Sequence, residues 1–463
     1  VKTLSLPAAL VTIALASSAF TVNAQVSLIS KGTLTSSRAG SYADLSGLRG
    51  NLENGVPANL LGGLGSGIAH ISGDRFLALP DRGPNAVEFN DAIDNTASYI
   101  ERFHTIRMNL RPSPAGSALP FTITPELEDT QLLSSITPLV YGTGEGLNVP
   151  DGEPRQNNFF QHFLTGRSDN FNPKKNSGNP NDARLDPESI RLSNDGLTVF
   201  ISDEYGPYVY QFLRFGGVRL RSFALPDKFY VSNLSSVGAT EISGNTSGRT
   251  ANKGMEGLAI TPDGRTLVGI MQAALIQDAN LGGAAANVLR LVTIDILSGK
   301  VTHEYSYLLT TGSGVSEIVA LNNHELLVDE RDGKGLGDGS KAKVKQIFKI
   351  DLANATDTSS MNGTDAAAHA VSKTLFADLV KIFTANGITA DQIPSKIEGL
   401  AFGEDVNLNG QTLHTLWVAN DNDFLQDYAG PNTNPNQFFV LSFNDTALNG
   451  SEYVPQKRYG LLN

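Results

Sequence analysis

Acidic residues recur along this chain where short apolar runs begin or end. Asp81, Asp203, Glu204, Asp329, Glu330 and Asp421 close such runs, and Glu256 and Glu398 open them. Basic residues stand nearby: Arg82, Lys253, Arg331 and Lys396. Converging like charges raise one another's cost of ionisation, so such a set calls for a bound cation or interleaved basic groups. Oxygen ligands with no thiolate suit a hard cation, and an irregular ligand shell favours calcium over magnesium. A cation held this way can activate water against an ester, while neighbouring Arg and Lys hold a phosphate or carboxylate. On this reading Asp81, Asp203, Glu204, Asp329, Glu330 and Asp421 are candidate metal ligands. Glu256, Glu398 and Asp203 are candidate catalytic groups, and Arg82, Lys253, Arg331 and Lys396 are candidate substrate-binding groups. The competing expectation is structural: an acid opening a strand can accept backbone hydrogen bonds, and Asp after a strand is an ordinary turn residue.

The elements that position these residues repeat. "MEGLAITPDGRTLVGI", Met255 to Ile270, reads as a strand, a Pro-Asp-Gly turn and a returning strand. "PESIRLSNDGLTVFISDEYGP", "VSEIVALNNHELLVDERDG" and "IEGLAFGEDVNLNGQTLHTLWVANDND" align with it through Glu188, Glu317 and Glu398, and "GSGIAHISGDRFLALPDRGPN" aligns without the acid. The steps from Glu188 to Glu256, Glu317 and Glu398 are 68, 61 and 81 residues, enough for four strands with long loops. Further runs such as "YVYQFLRF" and "VLRLVTIDIL" supply outer strands. The pattern predicts an all-β chain, a β-propeller of five to six four-stranded blades, against a two-sheet sandwich as the rival. Five units are countable; a sixth has room only between about Thr137 and Asp186, a stretch that reads more as a long loop. The last unit lacks a fourth strand, and "QVSLISKGTLT" near the N-terminus can complete it, closing the ring and removing exposed edges. One helix is expected around Ala377 to Gly387. In a blade, the start of the inner strand and the end of the second share one face, so the acids should gather at one mouth of the central channel.

Composition narrows the chemistry. The 463 residues carry a formal net charge of −12, which disfavours nucleic acid and anionic membrane as partners. There is no cysteine, which excludes disulfides, thiolate zinc sites and cysteine nucleophiles. The seven histidines show no ligand spacing, no Gly-x-Ser-x-Gly elbow is present, and "DGKGLGDGS" lacks the phosphate-loop spacing. Residues 1–24 have the layout of an export signal, with cleavage after Ala24. The remainder, 25–463, reads as one domain, monomeric and either secreted or periplasmic, with no stretch long enough to span a membrane.

Taken in order, "LPDRGPN" (79–85), "DPESI" and "SDEYGPYVYQF" (186–212), "NKGMEGLAITPDGRTL" (252–267), "VDERDG" (328–333) and "KIEGLAF" with "VANDNDF" (396–424) resemble the phytase-like, or esterase-like-activity-of-phytase, family of secreted proteins. The resemblance implies a propeller and hydrolysis of phosphate esters, with calcium by analogy with calcium-dependent propeller phytases. Two other expectations stand beside it: metal-dependent hydrolysis of a carboxylic ester or lactone, favoured by the shortage of basic residues, and a non-catalytic exported propeller that binds a partner.

Overall fold

The computed structural model describes residues 26–84, 96–144, 152–310, 312–426 and 433–459. The expected export signal, 1–24, lies outside the described residues. The architecture is a five-bladed β-propeller. Blade one is Gly67–Ser72, Arg75–Leu79, Arg102–Arg107 and Glu126–Leu132. Blade two is Pro187–Leu192, Thr198–Asp203, Tyr208–Leu213 and Arg219–Ala224. Blade three is Met255–Ile260, Thr266–Met271, Val288–Asp295 and Lys300–Leu308. Blade four is Gly314–Ala320, Glu325–Arg331, Lys345–Asp351 and Lys373–Asp378. Blade five is Lys396–Phe402, Gln411–Asp421 and Asn436–Phe443, with Ser27–Leu34 from the N-terminal side as its outer strand.

Local chemistry explains the hairpins. Between the first two strands of blade three, Gly264 takes the left-handed conformation (φ +72°) and the Asp263 carboxylate accepts from the Thr261 hydroxyl at 2.7 Å and the Arg265 amide at 3.1 Å. Closure follows from pairing: Ser27 to Leu34 run antiparallel to Asn436 to Ser442, so blade five gains its fourth strand and the ring has no open seam. The five inner strands neighbour one another in sequence order around the channel, and blade five touches blade one. Apolar side chains fill each gap between blades; Trp417, for example, packs 4.6 Å from Phe76 between blades five and one. The expected helix is present as Leu379–Ala385, capped by Asp378, whose carboxylate accepts the Lys381 amide at 3.1 Å. There is no sixth blade among the described residues. The segment between blades one and two is a long insertion whose described residues carry one two-residue ladder, Ser134–Ser135 with His162–Phe163, and isolated bridges such as Val140 to Asp182 and Thr165 to Arg184.

One alignment made from the sequence shifts by a residue. Bulges interrupt the register between Met255 and Gly257, between Val315 and Glu317, and between Ile397 and Gly399. Glu256 and Glu398 occupy the bulge in their blades, and in blade four that place belongs to Ser316. Glu317 pairs one step later, opposite Asp329. A slip of one residue sends a side chain in a different direction. Glu317 therefore points away from the mouth, into the body of the channel. It pairs with Arg191 at 2.8 Å and accepts from the Ser189 hydroxyl and the Leu258 and Ile318 amides. Arg191 in turn donates to the carbonyls of Ile68, Ile190 and Ile318. This buried pair ties blades one to four across the axis. Breaking such a pair from one side leaves an uncompensated charge and costs about 3 kcal/mol or more. Arg191→Met should lower the melting temperature strongly, and Arg191→Met with Glu317→Leu should recover much of the loss; a double variant no better than the single one would argue against the pair as a staple.

The far end of the channel is covered by the C-terminal segment. Val454, Lys457 and Tyr459 donate backbone hydrogen bonds to Leu321, Pro262 and Asn194, while Arg458 reaches the carbonyls of Leu192, Ser193 and His70. A cavity of about 410 Å³ lies beneath it, lined by the ends of the inner strands. It is remote from the clustered acids.

Candidate functional site

The inner strands begin, and the second strands end, at the opposite mouth. Asp186, Glu188 and Glu204 meet there, each buried, and each offers a carboxylate oxygen within 4.8 Å of the others. Asp186 and Glu188 flank Pro187, the first residue of blade two's inner strand, and Glu204 follows the last residue of the second strand. Asp203 fixes this corner from beneath: its Oδ1 accepts the Asp186 amide at 3.1 Å and the Tyr205 amide at 3.0 Å. Gly254 lets the next blade approach closely, since a Cβ there would lie 1.9 Å from the Glu204 carbonyl oxygen.

Glu256 lies across the seam between blades two and three, close enough to Glu204 for the two carboxyls to influence each other's charge. Asp81 lies on the far side, within electrostatic reach of Asp186 and Asp421. Burial, then the neighbouring carboxylates, push Asp81, Glu188 and Glu256 well above the usual carboxylate range. Burial pushes Asp203 up to about 7 and Glu204 up to about 7, the latter with Asp186 adding to the effect. The sole cation in direct contact with the triad among the described residues is Arg82, 2.9 Å from Asp186, which also donates to the Asn252 side-chain carbonyl. Asp186 Oδ1, Glu204 Oε1 and Glu256 Oε2 are buried with no hydrogen-bond donor among the described residues. Buried carboxylate oxygens without donors and without enough positive charge are what a hard cation would satisfy.

The other half of the mouth is neutralised by the protein itself. Lys396 lies 2.8 Å from Asp421 and also pairs with Asp423, and Arg331 pairs with Glu398 while donating to the Ser316 hydroxyl at 2.9 Å. Burial opposes the charge on Asp421, yet Lys396 holds it below the usual range.

The remaining candidates lie elsewhere. Asp329 is fully buried lower in the channel, with both oxygens lacking a donor among the described residues and with Arg331 and Lys345 as compensating charges. Glu330, its neighbour on the strand, faces the opposite side of the sheet and is bound by Tyr307, Ser313 at 2.9 Å and Lys373 between blades three and four. Lys253 is exposed on the Thr250–Lys253 turn. The mouth thus assembles Asp81, Arg82, Asp203, Glu204, Glu256, Arg331, Lys396, Glu398 and Asp421, and leaves out Asp329, Glu330 and Lys253. Sequence reasoning passed over Asp186 as a ligand and treated Glu188 only as a repeat marker; the run Asp186-Pro187-Glu188, with two acids around a proline at a strand start, was the available signal.

A model of the family described as "Phytase-like: Esterase-like activity of phytase" matches residues 59–424. The chain belongs to this family. The match takes in all of the mouth residues named above. An "Uncharacterized secreted protein" of Arthroderma benhamiae is 29% identical to this phytase-like chain over 307 residues, 61% of this chain and 56% of that protein, so the chain spans just over half its relative's length. Among solved structures, the Malassezia sympodialis allergen Mala s 1 is 10% identical, with a TM-score of 0.36, covering 86% of this chain and 82% of that one. The Kuenenia stuttgartiensis hydrazine synthase is 12% identical, with a TM-score of 0.32 and coverage of 81% and 80%. Likenesses this weak carry no argument about chemistry. No helix among the described residues is long and apolar enough to cross a membrane.

Proposed function

We propose that this phytase-like propeller is an exported, calcium-dependent hydrolase of phosphate esters. The observation that supports it is the buried triad Asp186, Glu188 and Glu204, whose carboxylates converge with donor-free oxygens on Asp186 and Glu204 and with Arg82 alone beside them. These three side chains would hold the cation, with calcium favoured over magnesium by the hard, irregular oxygen set. When bound, the cation would supply electrostatic stabilisation of the developing charge and a more acidic water. Arg82, held by Asp186 and Asn252, is oriented to bind an oxygen of the ester. Glu256, buried beside Glu204 with its carboxyl held toward the protonated form, is the group suited to hold and pass a proton. Asp203 is a positioning residue, because its contacts are to the backbone that carries Asp186 and Tyr205.

A second reading has its own observation. Arg331 and Lys396 are occupied by Glu398, Asp421 and Asp423, which leaves fewer cations for a heavily phosphorylated substrate and favours a carboxylic ester or lactone. The deciding experiment compares p-nitrophenyl phosphate with p-nitrophenyl acetate before and after EDTA, and after calcium or magnesium is returned. Phosphate ester cleavage lost with EDTA and restored by calcium is expected. Acetate cleavage alone would move the assignment to the second reading, and turnover that survives EDTA would remove the cation from the mechanism.

A further inference from the structure

A second cavity, of about 220 Å³, opens beside the triad, and its wall includes Arg82, Arg184, Tyr205, Ser235 and Asn252. Three of these residues carry a buried donor that meets no acceptor among the described residues: Arg82 Nε, Arg184 Nε and the Tyr205 hydroxyl. Buried donors left without acceptors cost free energy, so their convergence on one cavity calls for a ligand rich in acceptor oxygens. The charge agrees. The Arg184 guanidinium stacks 3.8 Å from the Tyr205 ring centre, and Arg249 approaches the same ring at 4.8 Å. Glu241, also on the wall, pairs with Arg249, and Asp186 pairs with Arg82. Arg184 has no carboxylate within ion-pair distance among the described residues. A chain with net charge −12 thus presents a locally positive pocket directly against its most acidic cluster.

We infer that this pocket is an oxyanion subsite, taking a phosphate or carboxylate group of the substrate while the scissile ester lies over Asp186, Glu188 and Glu204. This rests on the hydrolase reading for the ester and stands on the pocket for the anion. The substrate class is then an ester that carries a second acidic group. Arg184 lies over the Tyr205 ring, and its planar guanidinium fork matches two oxygens of one anion. Arg82 spans both sites through its contact with Asp186.

Calorimetric titration of the EDTA-treated full chain with inorganic phosphate tests the subsite without any turnover. Saturable binding of one phosphate per chain is expected, weakened about tenfold in Arg184→Gln and in Asn252→Asp. The second change puts a negative charge on an exposed residue at the pocket rim and spares the core, so it decides the matter if Arg184→Gln folds poorly. No saturable binding, or binding in both variants as tight as in the unaltered chain, overturns the subsite. With calcium restored, a bisphosphate ester and p-nitrophenyl phosphate separate a substrate group from free phosphate. In Arg184→Gln the KM for the bisphosphate should rise about tenfold more than the KM for the monophosphate, with little change in kcat; equal rises would mean the pocket holds free phosphate only and would overturn its substrate role. Absence of hydrolysis altogether defeats the hydrolase reading and leaves the phosphate titration to judge the pocket.

Discussion

Asp186→Asn is expected to reduce kcat/KM for a phosphate monoester by at least about a hundredfold and to remove most of the thermal stabilisation conferred by calcium. Loss of even an outer partner of a metal site typically costs roughly ten- to a hundredfold, and Asp186 belongs to the triad itself. It also holds Arg82 at 2.9 Å, so the amide would release the side chain proposed to bind the ester as well. Glu204→Gln should behave similarly. The informative contrast is Glu330→Gln. Glu330 lies between blades three and four with Tyr307 and Lys373, so its change should lower the melting temperature and leave kcat/KM within about twofold. If Asp186→Asn retains both turnover and the calcium-induced shift, the triad is scaffold and the acids at the mouth have a structural purpose.

Without added cation, the protein should melt at a higher temperature at pH 5 than at pH 8. Burial raises the folded-state pKa of Asp203, Glu204 and Glu317 to about 7 each. Between the ordinary carboxylate range and pH 7, the folded chain keeps protons that the unfolded chain has released. The stability from these groups is fully present below the unfolded pKa and is lost as pH rises through the folded one. A single carboxyl carried across that interval corresponds to about 3 kcal/mol. The summed effect should move the melting temperature by several degrees or more. Calcium should change the sign of what is seen, because in the proposed site it would compete with the proton for the Glu204 carboxylate. Its stabilising effect, small at pH 5, should grow toward pH 8 as the competing protons leave. Melts in EDTA and in calcium across this range test both halves. A melting temperature in EDTA that climbs from pH 5 to pH 8 would mean that the mouth is compensated by groups other than those described.

Several features of the fold are legible in local sequence. The strand, turn, strand repeat with its fixed acids specifies blades, because period-two alternation and Asp-Gly turns are local signals. The missing fourth strand at one end and the spare strand at the other specify closure. The same local rule separates Asp329 from Glu330, since adjacent residues on a strand face opposite sides. That alternation is visible in "VDERDG" and would have kept Glu330 out of the ligand set.

Other features belong to tertiary structure alone. Whether Ser316 or Glu317 fills the blade-four bulge depends on pairing with Leu326 to Arg331, which a one-residue slip in the alignment hides. Arg184 and Asp186 come from the end of an insertion with no repeat pattern, and they reach the mouth because the blade-two inner strand starts immediately after them. Strand propensity, turn chemistry and repeat spacing act over a few residues, so the all-β ring and its carboxylate-rich mouth are legible in the order of the amino acids. Which carboxylates crowd together, which are neutralised by Lys396 and Arg331, and where a positive pocket sits follow from how the blades are brought together. Those outcomes rest on distances between residues far apart in the chain, and electrostatic and hydrogen-bond energies depend on such distances and on burial.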